Sequence, residues 1–185
     1  MPTIRPCQPK DQENMRYVCI QSGPAIGQSS GPAYDFELAT YCDYYVECEP
    51  ENCFVIADED DNAVGYIMGA QDYWRYRERF LREYVPRVKD LRHRVMIRGA
   101  AALPRLFVKK YPAHLHIDIL EGYQRMGLGT QLMDLLTGRL RELGVPGVML
   151  GVGAGNVKGR SFYTKYGFKK LLRLPGAVVM GLDLR

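Results

Sequence analysis

Apolar residues recur along this chain at two spacings, and the alternation between them predicts the elements. Thr3-Ile4-Arg5 suits a short first strand. Asp11 to Gln21 carries Met15, Val18 and Cys19 at helical spacing and closes at Ser22-Gly23-Pro24. Ser22 to Pro32 is a Gly-, Ser- and Pro-rich loop, and Tyr34 to Glu47 reads as a second helix. Cys53 to Ala57 and Ala63 to Ala70 are strands on either side of the acidic turn Asp58 to Asn62, so they predict a hairpin. Asp72 to Tyr84 is helical and aromatic (Tyr73, Trp74, Tyr76, Phe80, Tyr84); Pro86 ends it, and another helix runs from Arg87 to Leu103.

The second half is more regular. Ala113 to Leu120 alternates Leu115, Ile117 and Ile119 on one face with His114, His116 and Asp118 on the other. Gly127 to Leu143 is a helix whose stripe is Leu128, Leu132, Leu135, Leu136, Leu140 and Leu143, with Gly144 at its C-terminal cap. Gly147 to Val152 is a strand. Asn156 caps a helix to Tyr166, Gly167 ends it, and Phe168 to Leu174 and Ala177 to Leu184 are closing strands. The order predicts an α/β domain: one mixed sheet of about seven strands flanked by helices, with a helical insert at about 72–110.

A chain of 185 residues suits one domain spanning 1–185. No apolar run approaches the roughly 20 residues that span a bilayer, and the N-terminus lacks an apolar signal core. The expected location is cytoplasmic, with no membrane partner. The five cysteines form no CxxC pair and read as free thiols. His114-x-His116 has no third ligand nearby in sequence, so no metal is expected. A net charge of +4 is too mild for a nucleic-acid partner. Between Arg75 and Lys110, twelve Lys or Arg stand against three acids, which is a solvated helical face or a basic rim for an anionic ligand.

The candidate chemistry lies where the strand ending at Leu120 runs through Gln124-Arg125-Met126-Gly127-Leu128-Gly129 into the long helix. Free amides and the helix dipole converge there, which makes an anion site. A Walker loop is excluded, because Gly122-x-x-x-x-Gly127 is followed by Leu128-Gly129 and not by Lys and a hydroxyl residue. Gly151-x-Gly153-x-Gly155 is a poor dinucleotide fingerprint, late in the chain.

Gln124-x-x-Gly127-x-Gly129 instead resembles the Q/R-x-x-G-x-G/A motif of the GNAT acetyltransferase superfamily. Asn156 and the segment Phe162-Tyr163-x-x-Tyr166-Gly167-Phe168 resemble two further GNAT features, in order, and the element order resembles a GNAT fold over nearly the whole chain. Within that superfamily, His114 to Asp118 followed by the loop is similar to the acetyltransferase-like domain attached to O-GlcNAc hydrolases. The resemblance implies acetyl-CoA as donor, held by Ile117, Ile119, Leu120, Gln124, Arg125, Met126, Gly127, Leu128, Gly129, Thr130, Asn156 and Tyr163. It implies Tyr163 as the acid for the leaving thiolate. Asp118, then Glu121, then His116 are the candidate bases. The acceptor is a small-molecule amine or amino sugar, its pocket built by the loop 22–32 and the insert, with the aromatic helix and Trp74 as a wall or simply as core. The chain is expected as a monomer or homodimer. The alternatives are a cofactor-binding module without catalysis, and a partner-binding domain whose loop holds no ligand.

Overall fold

Three consecutive antiparallel pairings and one short parallel one place the candidate chemistry. The computed structural model describes residues 1–185. Its seven strands are β1 (Thr3–Pro6), β2 (Cys53–Ala57), β3 (Ala63–Ala70), β4 (Ala113–Ile119), β5 (Gly147–Gly153), β6 (Lys169–Arg173) and β7 (Ala177–Asp183). They form one mixed sheet in the order β1-β2-β3-β4-β5-β7-β6. β3 is buried along its whole length, as an inner strand covered on both faces should be. It pairs with β4 over six residues, from Gly65↔Ile119 to Ala70↔His114.

β4 and β5 are parallel but pair only at Ala113↔Val148 and His114↔Met149. From there β5 follows β7 through its full length, and β4 stays with β3. The two middle strands therefore part, and a cleft opens between 115–119 and 150–153.

Each face of the sheet has its own core. On one face β4 sends Leu115, with Ile117 and Ile119 packed behind it, against α6 (Leu128–Glu142), whose Leu128, Leu132, Met133, Leu136 and Leu140 are buried. Leu135 and Leu143, placed on that stripe by spacing, are exposed. They lie on the flank, where a stripe wider than the contact meets water. On the other face α1 (Gln12–Ser22), α2 (Pro32–Tyr41), α3 (Asp43–Cys48), α4 (Tyr73–Arg79) and α5 (Leu91–Ala102) cover His114, His116 and Asp118. α7 (Val157–Tyr166) runs between β5 and β6.

Two helices differ from the pattern. The expected helix 34–47 breaks at Cys42 (φ −130°, ψ −64°) into α2 and α3. Beyond the bend Asp43, Tyr44, Tyr45 and Val46 are all buried, so the first turn of α3 is enclosed on every side. Beyond α4 the chain widens into a π turn at Phe80–Tyr84 and tightens at Val85–Arg87 around Pro86, so α5 starts only at Leu91. Asp90 caps it by accepting from His93 N at 2.9 Å.

Candidate functional site

The loop between β4 and α6 is a concave row of donors. Arg125 (φ +64°) and Gly127 (φ +77°) both take the left-handed conformation, which turns successive amides toward one side. Thr130 N and Gln131 N donate back to Gly127 O. The amides of Arg125, Met126, Gly127, Leu128 and Gly129 have no acceptor within the protein. They are the orphan donors of a helix start, and α6 adds its positive dipole end. No protein atom lies within 4 Å of where a Cβ would stand at Gly127.

The remaining candidates are tied to this loop. The Gln124 Nε2 donates to Ile119 O at 2.7 Å, so its side chain clamps the loop to the end of β4. Leu128 is buried and anchors the first turn of α6, while Met126 and Thr130 are exposed. A Cβ on Gly129 would come within 3.4 Å of Phe162 and 3.6 Å of the Ile119 side chain, so the middle of α7 packs closely over the start of α6. The Tyr166 hydroxyl fastens the two helices further, donating to Asp134 Oδ1 at 2.7 Å beside Thr137 Oγ1 at 3.1 Å. Asn156 Oδ1 accepts from Gly159 N at 2.8 Å, the capping role read from the sequence, and only its Nδ2 is left to face a ligand.

Tyr163 lies near enough to Asp118 to feel its charge. Burial pushes the Tyr163 hydroxyl well above its ordinary value, and the charge of Asp118 adds to the effect. Asp118 opens partly to the cleft and accepts from the Tyr66 hydroxyl at 2.7 Å. Burial raises its carboxyl to about 7, the Tyr66 hydrogen bond opposes that rise, and the charge of Glu37 assists it. Glu121 sits apart in an exposed turn (Glu121–Tyr123). His116 shares the face of Asp118 with its ring against Tyr41 (5.0 Å) and Tyr45 (5.2 Å), and burial pushes it down to about 4. Of Asp118 and His116, Asp118 is thus the one whose proton exchange falls near neutrality.

Beside the cleft lies a cavity of about 300 Å³. Tyr41 and Tyr45, Tyr76 and Phe80, and His114 and His116 line it, with Ile97 and Ala101 of α5, Gly151 and Gly153. The insert supplies part of its lining. Trp74 and the 22–32 loop do not: Trp74 is exposed under the Arg105 guanidinium, 5.8 Å from its ring centroid. No protein atom comes within 4 Å of a Cβ at Gly151, so the space beside that glycine belongs to the cleft.

Spacing alone missed Tyr66 and Glu37. The signal for Tyr66 was a polar tip in an otherwise apolar strand; the β3–β4 register sets it opposite Asp118. Glu37 carried no signal; its carboxylate accepts from Ala25 N at 2.7 Å and fills the space a Cβ on Gly23 would occupy. No group of three His, Cys, Asp or Glu is placed to hold a metal ion, and no helix is long and apolar enough to cross a membrane.

A sheet splayed between β4 and β5, with a donor loop and a helix start at the splay, is matched by a family model. The Acetyltransferase (GNAT) family model covers residues 24–168. The chain belongs to the GNAT acetyltransferase family. A crystal structure of SsHAT is 28% identical and superposes with a TM-score of 0.87, covering 100% of this chain and 98% of that one. The same fold occurs in PaiA N-acetyltransferase from Thermoplasma acidophilum, solved in complex with coenzyme A (16% identical, TM-score 0.63, 99% of each chain). It occurs also in Ard1 from Thermoplasma volcanium (23% identical, TM-score 0.61, 98% of this chain and 97% of that one).

Proposed function

We propose that this GNAT domain, spanning 1–185, transfers an acetyl group from acetyl-CoA to the primary amine of a small molecule, amino sugars included, by direct attack. The observation that carries the reading is the splay of β4 from β5, with the unpaired amides of 125–129 at one end and Asp118 with Tyr163 beside it. The coenzyme A complex of the Thermoplasma acidophilum relative supports the donor.

The residues present fit such a donor. Amides 125–129 and the start of α6 suit its pyrophosphate, with Gln124 and Thr130 at the loop's ends. Ile117, Ile119 and Leu120 offer an unpaired strand edge to the pantetheine arm, with Asn156 a further residue to hold it. Acetyl-CoA supplies an activated thioester carbonyl. Asp118 takes the proton of the attacking amine, with Glu121 the second candidate for that role. A backbone N–H of β4 donates to the carbonyl oxygen as it gains charge. Tyr163, held protonated by its surroundings, donates to the departing sulfur.

Thermal unfolding with acetyl-CoA tests the donor. An excess of about 100-fold over Kd stabilises by about 2.7 kcal/mol, and no shift at millimolar acetyl-CoA would sink the proposal. Gly127→Ala forces a side chain into the left-handed region at a cost of about 1–2 kcal/mol. If the loop straightens to relieve it, Kd for acetyl-CoA should rise about tenfold. Tyr163→Phe should lower kcat for thiol release about 100-fold with Kd for acetyl-CoA nearly unchanged. Equal losses of both would contradict the acid role.

A further inference from the structure

The cavity beside the cleft is specific about what it admits. Its volume, about 300 Å³, is at the small end for ligand pockets. None of its lining side chains is Asp, Glu, Lys or Arg. Thr40 is already committed, its hydroxyl donating to Phe36 O at 2.6 Å. Both ring nitrogens of His114 are not, having no hydrogen-bond partner in the protein, and the buried Tyr45 hydroxyl has none beyond the neighbouring Tyr76 hydroxyl. His114 is 8% exposed and Tyr45 1%. Their rings meet edge to face at 5.6 Å, and Tyr76 closes on His114 at 4.3 Å. A buried polar atom left unpaired costs about 1–3 kcal/mol, so a ligand that pairs with these atoms recovers free energy the empty protein forgoes.

We propose that this cavity selects a small arylamine as acceptor, bound with its nitrogen uncharged, and that His114 and Tyr45 determine specificity by pairing with one hydrogen-bonding group on the aromatic body. The inference rests on the acetyltransferase reading and names its acceptor class. An alkylammonium would be stripped of water here, and the carboxyl at the cleft, Asp118, is held toward its neutral form by burial, so the charge would be poorly paired. The same surroundings push His114 down to about 3. An amino sugar would bring several hydroxyls against a wall made mostly of hydrophobic residues. An arylamine nitrogen, its lone pair shared with the ring, enters neutral. The cavity wall runs from His114 and His116 to Gly151 and Gly153, where β4 and β5 part, so the amine end points into the cleft. There the N–C bond forms as the C–S bond breaks, the amine proton passes to Asp118, and the sulfur receives one from Tyr163.

The test uses 4-aminophenol and glucosamine as acceptors and p-cresol as a probe that fills the cavity without reacting. With saturating acetyl-CoA, kcat/KM for 4-aminophenol should exceed that for glucosamine about 100-fold, roughly two lost hydrogen bonds to charged or buried groups. His114→Leu removes two orphaned nitrogens, so its Tm should equal or exceed the parent's. It should raise KM for 4-aminophenol and Kd for p-cresol about tenfold, with kcat and the Kd for acetyl-CoA nearly unchanged. Tyr45→Phe should act in the same direction. Faster turnover of glucosamine, or p-cresol affinity indifferent to both substitutions, overturns the inference. A protein that binds p-cresol with the expected losses but gives no thermal shift with acetyl-CoA would instead retire the acetyltransferase reading and leave the cavity assignment standing.

Discussion

Replacing Asp118 with Asn is expected to lower kcat/KM for acetyl transfer by about 10²- to 10⁴-fold, the span a positioned general base supplies. The substitution keeps the shape of the side chain and its acceptor oxygen for the Tyr66 hydroxyl, so Kd for acetyl-CoA should hardly move. In the parent, kcat/KM should climb about tenfold per pH unit and level off near the Asp118 value of about 7. Its neighbours leave that limb to Asp118. Tyr41, Tyr66 and Tyr163 are all pushed above their ordinary values and stay protonated. His116 and His114 are pushed down to about 4 and about 3, so they stay neutral. Glu37 is a carboxyl raised by burial, and its charge lifts Asp118. Tyr66→Phe removes the hydrogen bond that favours the carboxylate, so the limb should move to higher pH with its plateau kept. A limb that stays in place after either substitution would show that another group is the base.

The same shift fixes the sign of a stability effect. Asp118 has a higher value folded than the 3.8 of an unperturbed Asp, so its ionisation opposes folding. Its contribution to stability is greatest below about pH 4 and declines as pH rises toward 7. Asp118→Asn abolishes that decline, so Tm of the variant minus Tm of the parent should increase across this window.

Local rules located the amide-lined loop. The loop 124–129 is legible because a strand, two glycines and a leucine stripe follow one another within thirty residues, and each acts through its neighbours. Asn156 is legible as a cap for the same reason. The Asp118 cluster and the cavity join distant segments. Tyr66 reaches Asp118 across 52 positions, and the cavity gathers Tyr45, Tyr76 and His114 from three elements. An aromatic stripe announces burial but not whether the buried face meets core or a cavity: within one stripe Tyr76 and Phe80 line the cavity while Trp74 faces solvent. The break at Cys42 is equally silent, since it answers to packing on the sheet and involves neither glycine nor proline.

Glu49 is the residue whose loss should cost most stability, and the reason is long-range. Its carboxylate is fully buried. It accepts from the Tyr44 hydroxyl at 2.9 Å, Asn52 Nδ2 at 3.1 Å and Gln71 N at 3.0 Å, and pairs with Arg75 at 3.2 Å. Four donors converge on a group with about four lone-pair sites, so the carboxylate is saturated. Glu49→Gln keeps the volume but turns one acceptor into a donor facing donors. Stranding buried partners in this way costs about 3–5 kcal/mol, or, at about 2–4 °C per kcal/mol for a chain of this size, a fall in Tm of roughly 6–20 °C. Arg75 is half exposed, so Arg75→Ala should cost under about 1 kcal/mol. Urea unfolding distinguishes the two: a midpoint shift for Glu49→Gln no larger than that for Arg75→Ala would refute the hub. The consequence reaches the cavity, because Tyr44 packs edge-on against Tyr45 at 5.6 Å and Tyr76 at 4.6 Å. Freed from Glu49, Tyr44 no longer braces those walls, while the loop 124–129 on the far side of β4 is untouched. Below its unfolding temperature the Glu49→Gln protein should therefore lose acceptor affinity before it loses acetyl-CoA.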